Sequence, residues 1–278
     1  MGEKSLSVRK RSSDFTVCFM LLAVAIIGVQ LISFPMVFIW GAVLTLAYIA
    51  CRRVSLFNPS KRISDTAMLA LNMIMGYILY STFGEIIQNG LADHETWGII
   101  LSRLGLILFV MPFALAAMRT REKPLYLAIG TWRSTIYFPW IFKGPLKDPI
   151  WRFMLIFLVM VCAVFSFFMD WGQPELLALA GYALSFALIN AVLEELLWRG
   201  YILSHFASRF GELKGLVIAG VTFGLYHYHL GFSWPVCLLF SIFGIMMGGV
   251  AIRSKGLAPV MVMHFAMNVL FVLSGMIL

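Results

Sequence analysis

The chain has 278 residues, of which 61% are hydrophobic and 12% are charged, and its mean hydropathy is +0.92. So few charged side chains cannot cover a soluble globule of this length, and the composition therefore indicates a protein whose solvent is the lipid bilayer. The formal net charge is +8. Lys and Arg lie in short clusters between apolar runs, a distribution that sets membrane topology. It gives no reason to expect a nucleic-acid partner.

The first apolar stretch follows three basic residues at 9–11 and runs from Phe15 to about Ile32. It is too long for a signal peptide and has no small-residue cleavage site, so we interpret it as a retained span. Nine apolar segments of spanning or near-spanning length occur in all, at 15–32, 35–50, 66–87, 97–118, 153–169, 176–197, 215–229, 234–252 and 259–277. About 20 apolar residues cross the hydrocarbon core, and the second and seventh segments are short. We therefore predict an all-α polytopic membrane protein with about 8–9 transmembrane helices and a polar site inside the C-terminal helical core.

Basic residues cluster in alternate connections between these segments, which gives one consistent orientation. The predicted inner positions are Lys4, Arg9, Lys10, Arg11, Arg52, Arg53, Lys61, Arg62, the connection 119–152, Arg199, Arg209, Lys214, Arg253 and Lys255. The acidic connections fall on the other side. We therefore expect a cytoplasmic N-terminus and an external C-terminus.

The long basic connection predicts a segment that lies at the membrane interface. It contains Trp132, Trp140 and Trp151, and prolines that exclude a spanning helix. We predict a division at this point: residues 1–150 form a four-span accessory region with the interfacial segment 119–150, and residues 151–278 form the core that carries the unusual polar residues.

The first unusual segment is Glu194-Glu195-x-x-x-Arg199, which interrupts an apolar helix. Each such charge at mid-bilayer costs about 2.5–3.5 kcal/mol, so the three are expected to pair or to face a polar cavity. Glu195 and Arg199 are four residues apart and can pair on one helix face, whereas Glu194 points elsewhere and stays available. The alternative interpretation is an interfacial salt bridge at a helix end.

Two further helices each carry a histidine with a motif partner four residues away. In one, Phe223 and His227 share a face with Gly220 and Gly224, whose small-xxx-small pattern allows a neighbouring helix to approach closely. In the last segment, His264 and Asn268 share a face, a pattern that is also typical of an interhelical hydrogen-bond pair.

The polar groups of the three helices are expected at similar depths in the membrane. At 1.5 Å per residue, Glu194 lies about 22 Å from the inner boundary at Arg209, and His227 about 19 Å from Lys214. His264 and Asn268 lie about 13 and 19 Å from Lys255. This agreement favours one shared site over three unrelated polar groups.

The ordered motifs Glu194-Glu195-x-x-x-Arg199, Phe223-x-x-x-His227 and His264-x-x-x-Asn268 resemble those of the CAAX protease and bacteriocin-processing family of intramembrane endopeptidases, which includes type II CAAX prenyl endopeptidases. The resemblance covers roughly residues 150–275. It implies that Glu194 is the general base that activates water, that His227 helps to position this water or exchanges protons with it, and that His264 and Asn268 stabilise the oxyanion. Glu195, Arg199 and Phe223 would support the site.

A metal-dependent mechanism is the main alternative within the same activity. Glu194, His227 and His264 are residue types that bind catalytic zinc, although they come from three helices and no His-Glu-x-x-His occurs. We predict a metal-free site with no cofactor and keep zinc as the alternative.

Two other functional classes compete with the enzyme interpretation. A bacteriocin-immunity or scaffold protein on the same fold would have no activity, and a transporter would line a polar route through the membrane. The predicted partners of the enzyme are the bilayer and a protein or peptide substrate, with or without a lipid modification. The compact chain without organelle signals favours a bacterial plasma membrane.

Overall fold

The computed structural model confirms an integral membrane protein built from helices. It describes residues 2–31, 36, 39, 41–43, 45–46, 49, 60–139 and 141–277, with side chains from residue 13 onward. The helices with defined bounds are α1 (Gly2–Leu31), α2 (Lys61–Gly90), α3 (Glu95–Ser102), α4 (Gly105–Thr120), α5 (Ile150–Phe165), α6 (Leu176–Glu195), α7 (Ser204–Phe210), α8 (Glu212–Tyr226), α9 (Trp234–Ser254) and α10 (Ala258–Leu273). A π-helix (Leu196–Leu203) continues α6, and single 3₁₀ turns occur at Ala92–His94, Ser166–Phe168 and His227–Leu230.

Within the described residues, six helical stretches are long and apolar enough to cross a membrane. They are Ser13–Leu31, Lys61–Gly90, Ala92–Thr120, Ile150–Phe168, Leu176–Phe210 and Trp234–Ser254. The helices α8 and α10 are shorter, with 15 and 16 residues; α8 begins after Gly211, whose φ is 89°, and α10 has a proline in its first turn. Eight of the nine predicted segments thus coincide with described helices. The second, 35–50, lies largely outside the described residues, as do Arg52 and Arg53.

The described residues between α4 and α5, 121–139 and 141–149, are not helical, as the prolines of this segment predicted. It contains an antiparallel hairpin, β1 (Thr135–Phe138) and β2 (Leu146–Pro149), in which Phe138 pairs with Leu146. The hairpin itself was not predicted. Apolar side chains such as Ile129 are exposed here, and the position of the segment at the membrane interface stays a prediction.

The chain forms two compact units, and each contains residues from before and after residue 150. The division into an accessory region and a core at residue 150 stays a prediction. The first unit comprises residues 1–78 and 206–245. In it α1 packs against α8, and Ala25, Val29, Ala70 and Ile74 form a buried cluster.

The second unit comprises residues 79–205 and 246–278. In it α6 packs along α10, and α3, α4 and α5 pack around this pair. Ile100, Ala183, Phe186 and Val272 form its buried cluster. The start of α10 is held by the segment between α4 and α5, because the backbone N–H of Leu257 donates to the Ala128 carbonyl at 2.8 Å.

Candidate functional site

The first motif spans the point at which α6 becomes the π-helix. Glu194 and Glu195 end α6, and Arg199 lies one turn later in the π-helix. Arg199 Nη1 donates to Glu195 Oε1 at 2.7 Å, and both side chains are buried. The predicted pairing is confirmed. A π-helix is a wider turn that occurs frequently at functional sites, and here it carries the cation of the pair.

The third motif meets the first through the same carboxylate oxygen. His264 on α10 lies with its Nδ1 at 2.7 Å from Glu195 Oε1. Because an ionised carboxylate only accepts hydrogen bonds, the imidazole Nδ1–H is the donor. Glu195 Oε1 therefore binds a guanidinium and an imidazole at once, which are both strong partners for a buried carboxylate.

Glu194 is in a different position from its neighbour. Its side chain is buried, with 2% of its surface exposed, and its Oε2 lies 3.7 Å from His264 Nε2. This separation is too long for a direct hydrogen bond. Glu194 Oε2 has no hydrogen-bond partner among the described residues. One carboxylate is thus committed to fixing the site, and the other presents an oxygen beside the imidazole.

Two buried asparagines flank these groups. Asn268 lies one turn after His264 on α10, and its Nδ2 has no hydrogen-bond partner within the described part of the chain. Asn190 lies one turn before Glu194 on α6, and its Oδ1 is likewise without one. The sequence did not single out Asn190 as a site residue. The signal that could have identified Asn190 as a site residue is its spacing of four from Glu194.

The second motif belongs to the first unit, where its own packing explains its pattern. His227 follows the end of α8 and is buried, and its Nδ1–H donates to the Phe223 carbonyl at 2.7 Å. The imidazole stacks on Phe240 with centroids 4.2 Å apart and meets the Phe223 ring at 4.5 Å. Because a carbonyl oxygen only accepts hydrogen bonds, Nδ1 carries a proton in this contact, and the backbone fixes the orientation of the ring.

The glycines of this helix allow the close approach that the sequence predicted. A Cβ on Gly220 would lie 2.8 Å from Ile245 N, and one on Gly224 would lie 2.5 Å from Ser241 N. Both neighbours are backbone atoms of α9. The small-xxx-small packing is confirmed.

The structure thus brings together Glu194, Glu195, Arg199 and His264, with Asn268 on the next turn of α10. Phe223 and His227 form a separate pair within the first unit. Catalytic zinc needs about three protein ligands. No group of three or more His, Cys, Asp or Glu side chains is arranged to hold a metal ion within the described parts of the chain, so we derive no step that involves a metal.

A comparison with known families agrees with the motif pattern. Residues 176–270 match the model of the family described as type II CAAX prenyl endopeptidase Rce1-like. This segment contains all three motifs, and the match confirms the predicted resemblance for about a third of the chain. No curated protein and no solved structure shows a significant match. The segment is therefore similar to a family of endopeptidases.

Proposed function

We propose that this membrane protein is an intramembrane endopeptidase that hydrolyses a peptide bond with water activated by Glu194. The substrate class is a membrane-associated or prenylated protein or peptide. The observation that carries the proposal is the division of labour between the two adjacent carboxylates. Glu195 binds Arg199 and His264 through its Oε1. Glu194 Oε2 lies 3.7 Å from His264 Nε2 and is not tied to a cation by a hydrogen bond, although the Oε2 atoms of both carboxylates are without a hydrogen-bond partner among the described residues.

In the proposed reaction, a water molecule bound to Glu194 gives it a proton while the water oxygen bonds to the scissile carbonyl carbon. The carbonyl oxygen becomes an oxyanion, and the Asn268 amide donates to it. When the intermediate collapses, the carbon–nitrogen bond breaks and the proton held by Glu194 passes to the leaving amine. The products are a carboxyl group and an amine, and the enzyme returns to its starting state.

The other motif residues have supporting roles. Because the Nδ1–H of His264 is committed to Glu195, an oxyanion contact from its Nε2 requires the doubly protonated ring. Glu195 holds the imidazole of His264, and Arg199 pairs with Glu195. Phe223 fixes the His227 ring, and the family resemblance assigns to His227 the positioning of water.

The proposed mechanism uses no cofactor, and the experiment that tests the function also tests this point. Purified protein in detergent would be given a peptide in which an S-farnesylated cysteine is followed by three C-terminal residues. We expect cleavage by the wild type, no cleavage by Glu194→Gln, and activity that survives prolonged chelation with well under one zinc per chain.

Each contrary outcome has a separate meaning. Stoichiometric zinc whose removal abolishes activity, and whose return restores it, would replace the glutamate mechanism with a zinc-dependent one. No cleavage of this peptide or of an unmodified membrane peptide would favour an immunity or scaffold protein on the same fold. Neither outcome would change the helical architecture.

We also propose a bacterial plasma membrane with the N-terminus in the cytoplasm and the C-terminus outside. The support is the alternation of basic and acidic connections along the sequence. We expect a signal from a reporter that works only outside the cell when it is fused after the last residue. A cytoplasmic signal at that position would remove a span or reverse the orientation.

A further inference from the structure

A cation outside the three motifs lies within a membrane span of the second unit. Arg103 follows α3 and precedes α4, so it occupies a break in the candidate span Ala92–Thr120. A charged side chain inside a span is costly and usually marks a functional site. The sequence did not single it out, because it is one charge in an apolar run and has no acidic neighbour at helical spacing.

The contacts of Arg103 do not neutralise its charge. Its Nη1 donates to the Tyr80 hydroxyl at 2.8 Å, and its guanidinium carbon lies 5.2 Å from the centroid of the Phe186 ring. Both partners are uncharged. Its Nε is buried and has no hydrogen-bond partner among the described residues. The guanidinium therefore keeps a donor and a positive charge that an anion can use.

Arg103 lies along the same helix face as the catalytic carboxylate. Phe186, Asn190 and Glu194 belong to the buried stripe of α6, against which α3 and α4 pack. The guanidinium lies over Phe186, and its charge also attracts Glu194 electrostatically. From Phe186 to Glu194 the helix rises about 12 Å.

This distance fits the length of a short C-terminal peptide. Three extended residues span about 10 Å, so a scissile carbonyl beside Glu194 would place a carboxylate three residues later near Arg103. A Cys-a-a-X sequence has three residues after its modified cysteine. A substrate that approaches with its C-terminus first from the Glu194 end of α6 would point this carboxylate toward Phe186.

We propose that Arg103 is the residue that binds the C-terminal carboxylate of the substrate. This inference rests on the proposed endopeptidase function. Tyr80 orients the guanidinium, and the Phe186 ring supports its face, which leaves the remaining edge for a bidentate contact.

The test compares two peptides that differ only at the C-terminus. Both carry an S-farnesylated cysteine followed by three aliphatic residues, and one ends in a carboxylate and the other in a carboxamide. We expect the wild type to prefer the carboxylate by about ten- to a hundredfold in kcat/KM, as a lost charge-assisted contact implies. Arg103→Gln should remove this preference by slowing only the carboxylate peptide, and Arg103→Lys should restore part of it.

The preference is a ratio measured on one preparation, so partial misfolding of a variant cancels. Arg119→Gln is the matched control, because Arg119 lies on α4 and is exposed, and it should keep the wild-type ratio. If Arg103→Gln slows both peptides equally, Arg103 acts on Glu194 or on folding, and the proposal fails. Equal cleavage of both peptides by the wild type also overturns it, whereas no cleavage of either overturns the proposed function instead.

Discussion

The two buried motif histidines are held in different ways. His264 in the second unit donates through Nδ1 to Glu195, which also binds Arg199. His227 in the first unit donates through Nδ1 to the Phe223 carbonyl of its own helix and stacks on Phe240. The two Nδ1 distances are both 2.7 Å. One ring is thus fixed by a charge network between helices, and the other by the backbone and aromatic packing.

The difference predicts which kind of substitution each region tolerates. In a medium of low polarity, the removal of one member of a charge network leaves another member uncompensated. A neutral imidazole with a local carbonyl partner has no such dependence, but its neighbours must pack closely. The α6–α10 region should therefore respond most strongly to changes of charge, and the α8 region to changes of volume.

The largest expected effect is on catalysis and separates the two adjacent carboxylates. Glu194→Gln keeps the size of the side chain and removes the base, so kcat should fall by up to about 10⁴-fold. The thermal unfolding midpoint in detergent should change little, because Glu194 Oε2 has no hydrogen bond to lose among the described residues. Glu195→Gln should instead lower the midpoint. Equal loss of folding in both variants would favour a structural salt bridge over a catalytic site.

The next effect is on stability and uses two ion pairs with the same spacing. Arg199→Ala removes the cation from Glu195 and leaves the imidazole as its hydrogen-bond partner among the described residues, so the free energy of unfolding should fall by about 3–5 kcal/mol. Arg152 and Asp148 form a control pair, also four residues apart and at 2.7 Å, but 54% of the Arg152 side chain is exposed. Arg152→Ala should cost less than about 1 kcal/mol. Similar losses in both variants would show that burial does not set the strength of the network.

A smaller catalytic effect is expected for the amide on α10. Asn268→Ala should reduce kcat by about 10²–10³-fold if this amide is a principal oxyanion donor. The unfolding midpoint should be unchanged, since Asn268 Nδ2 has no partner in the described residues. Single-turnover cleavage of the farnesylated peptide measures this loss. A reduced substrate affinity with normal kcat would assign Asn268 to binding instead.

The sequence predicted which residues belong to the charge network, but it predicted only one of the two contacts that join them. Periodicity placed Glu195 and Arg199 on one face, because that relation depends only on the helix repeat. The hydrogen bond from His264 to Glu195 depends on how two helices rotate against each other, which local spacing does not determine. The sequence grouped His264 with Asn268, whereas its Nδ1 donates to Glu195.

Features without a periodic signal were also missed. The π-helix after Glu195 and the hairpin at residues 135–149 arise from tertiary packing rather than from a repeating pattern. Arg103 was overlooked for a related reason: the sequence gives its charge but not the helix break that turns it toward Phe186. Conversely, the glycine spacing of α8 predicted its close contact, since only the absence of a Cβ permits that approach.

The smallest expected effect tests the packing side of the comparison. Gly224→Ala would place a Cβ 2.5 Å from Ser241 N, a backbone atom of α9. Because backbone cannot move aside as a flexible side chain can, overpacking should lower the free energy of unfolding by about 1–3 kcal/mol. His227 lies on the next turn, so cleavage should fall in parallel with stability.

Gly181 on α6 provides the matched control for this substitution. It is also a helical glycine, but a Cβ there would have nothing within 4 Å. Gly181→Ala should therefore be neutral or stabilising by up to about 1 kcal/mol, since alanine favours the helix. Thermal unfolding of the two variants in the same detergent gives the difference directly. If Gly224→Ala behaves like Gly181→Ala, close packing does not hold the His227 region, and the contrast between the two histidines is lost.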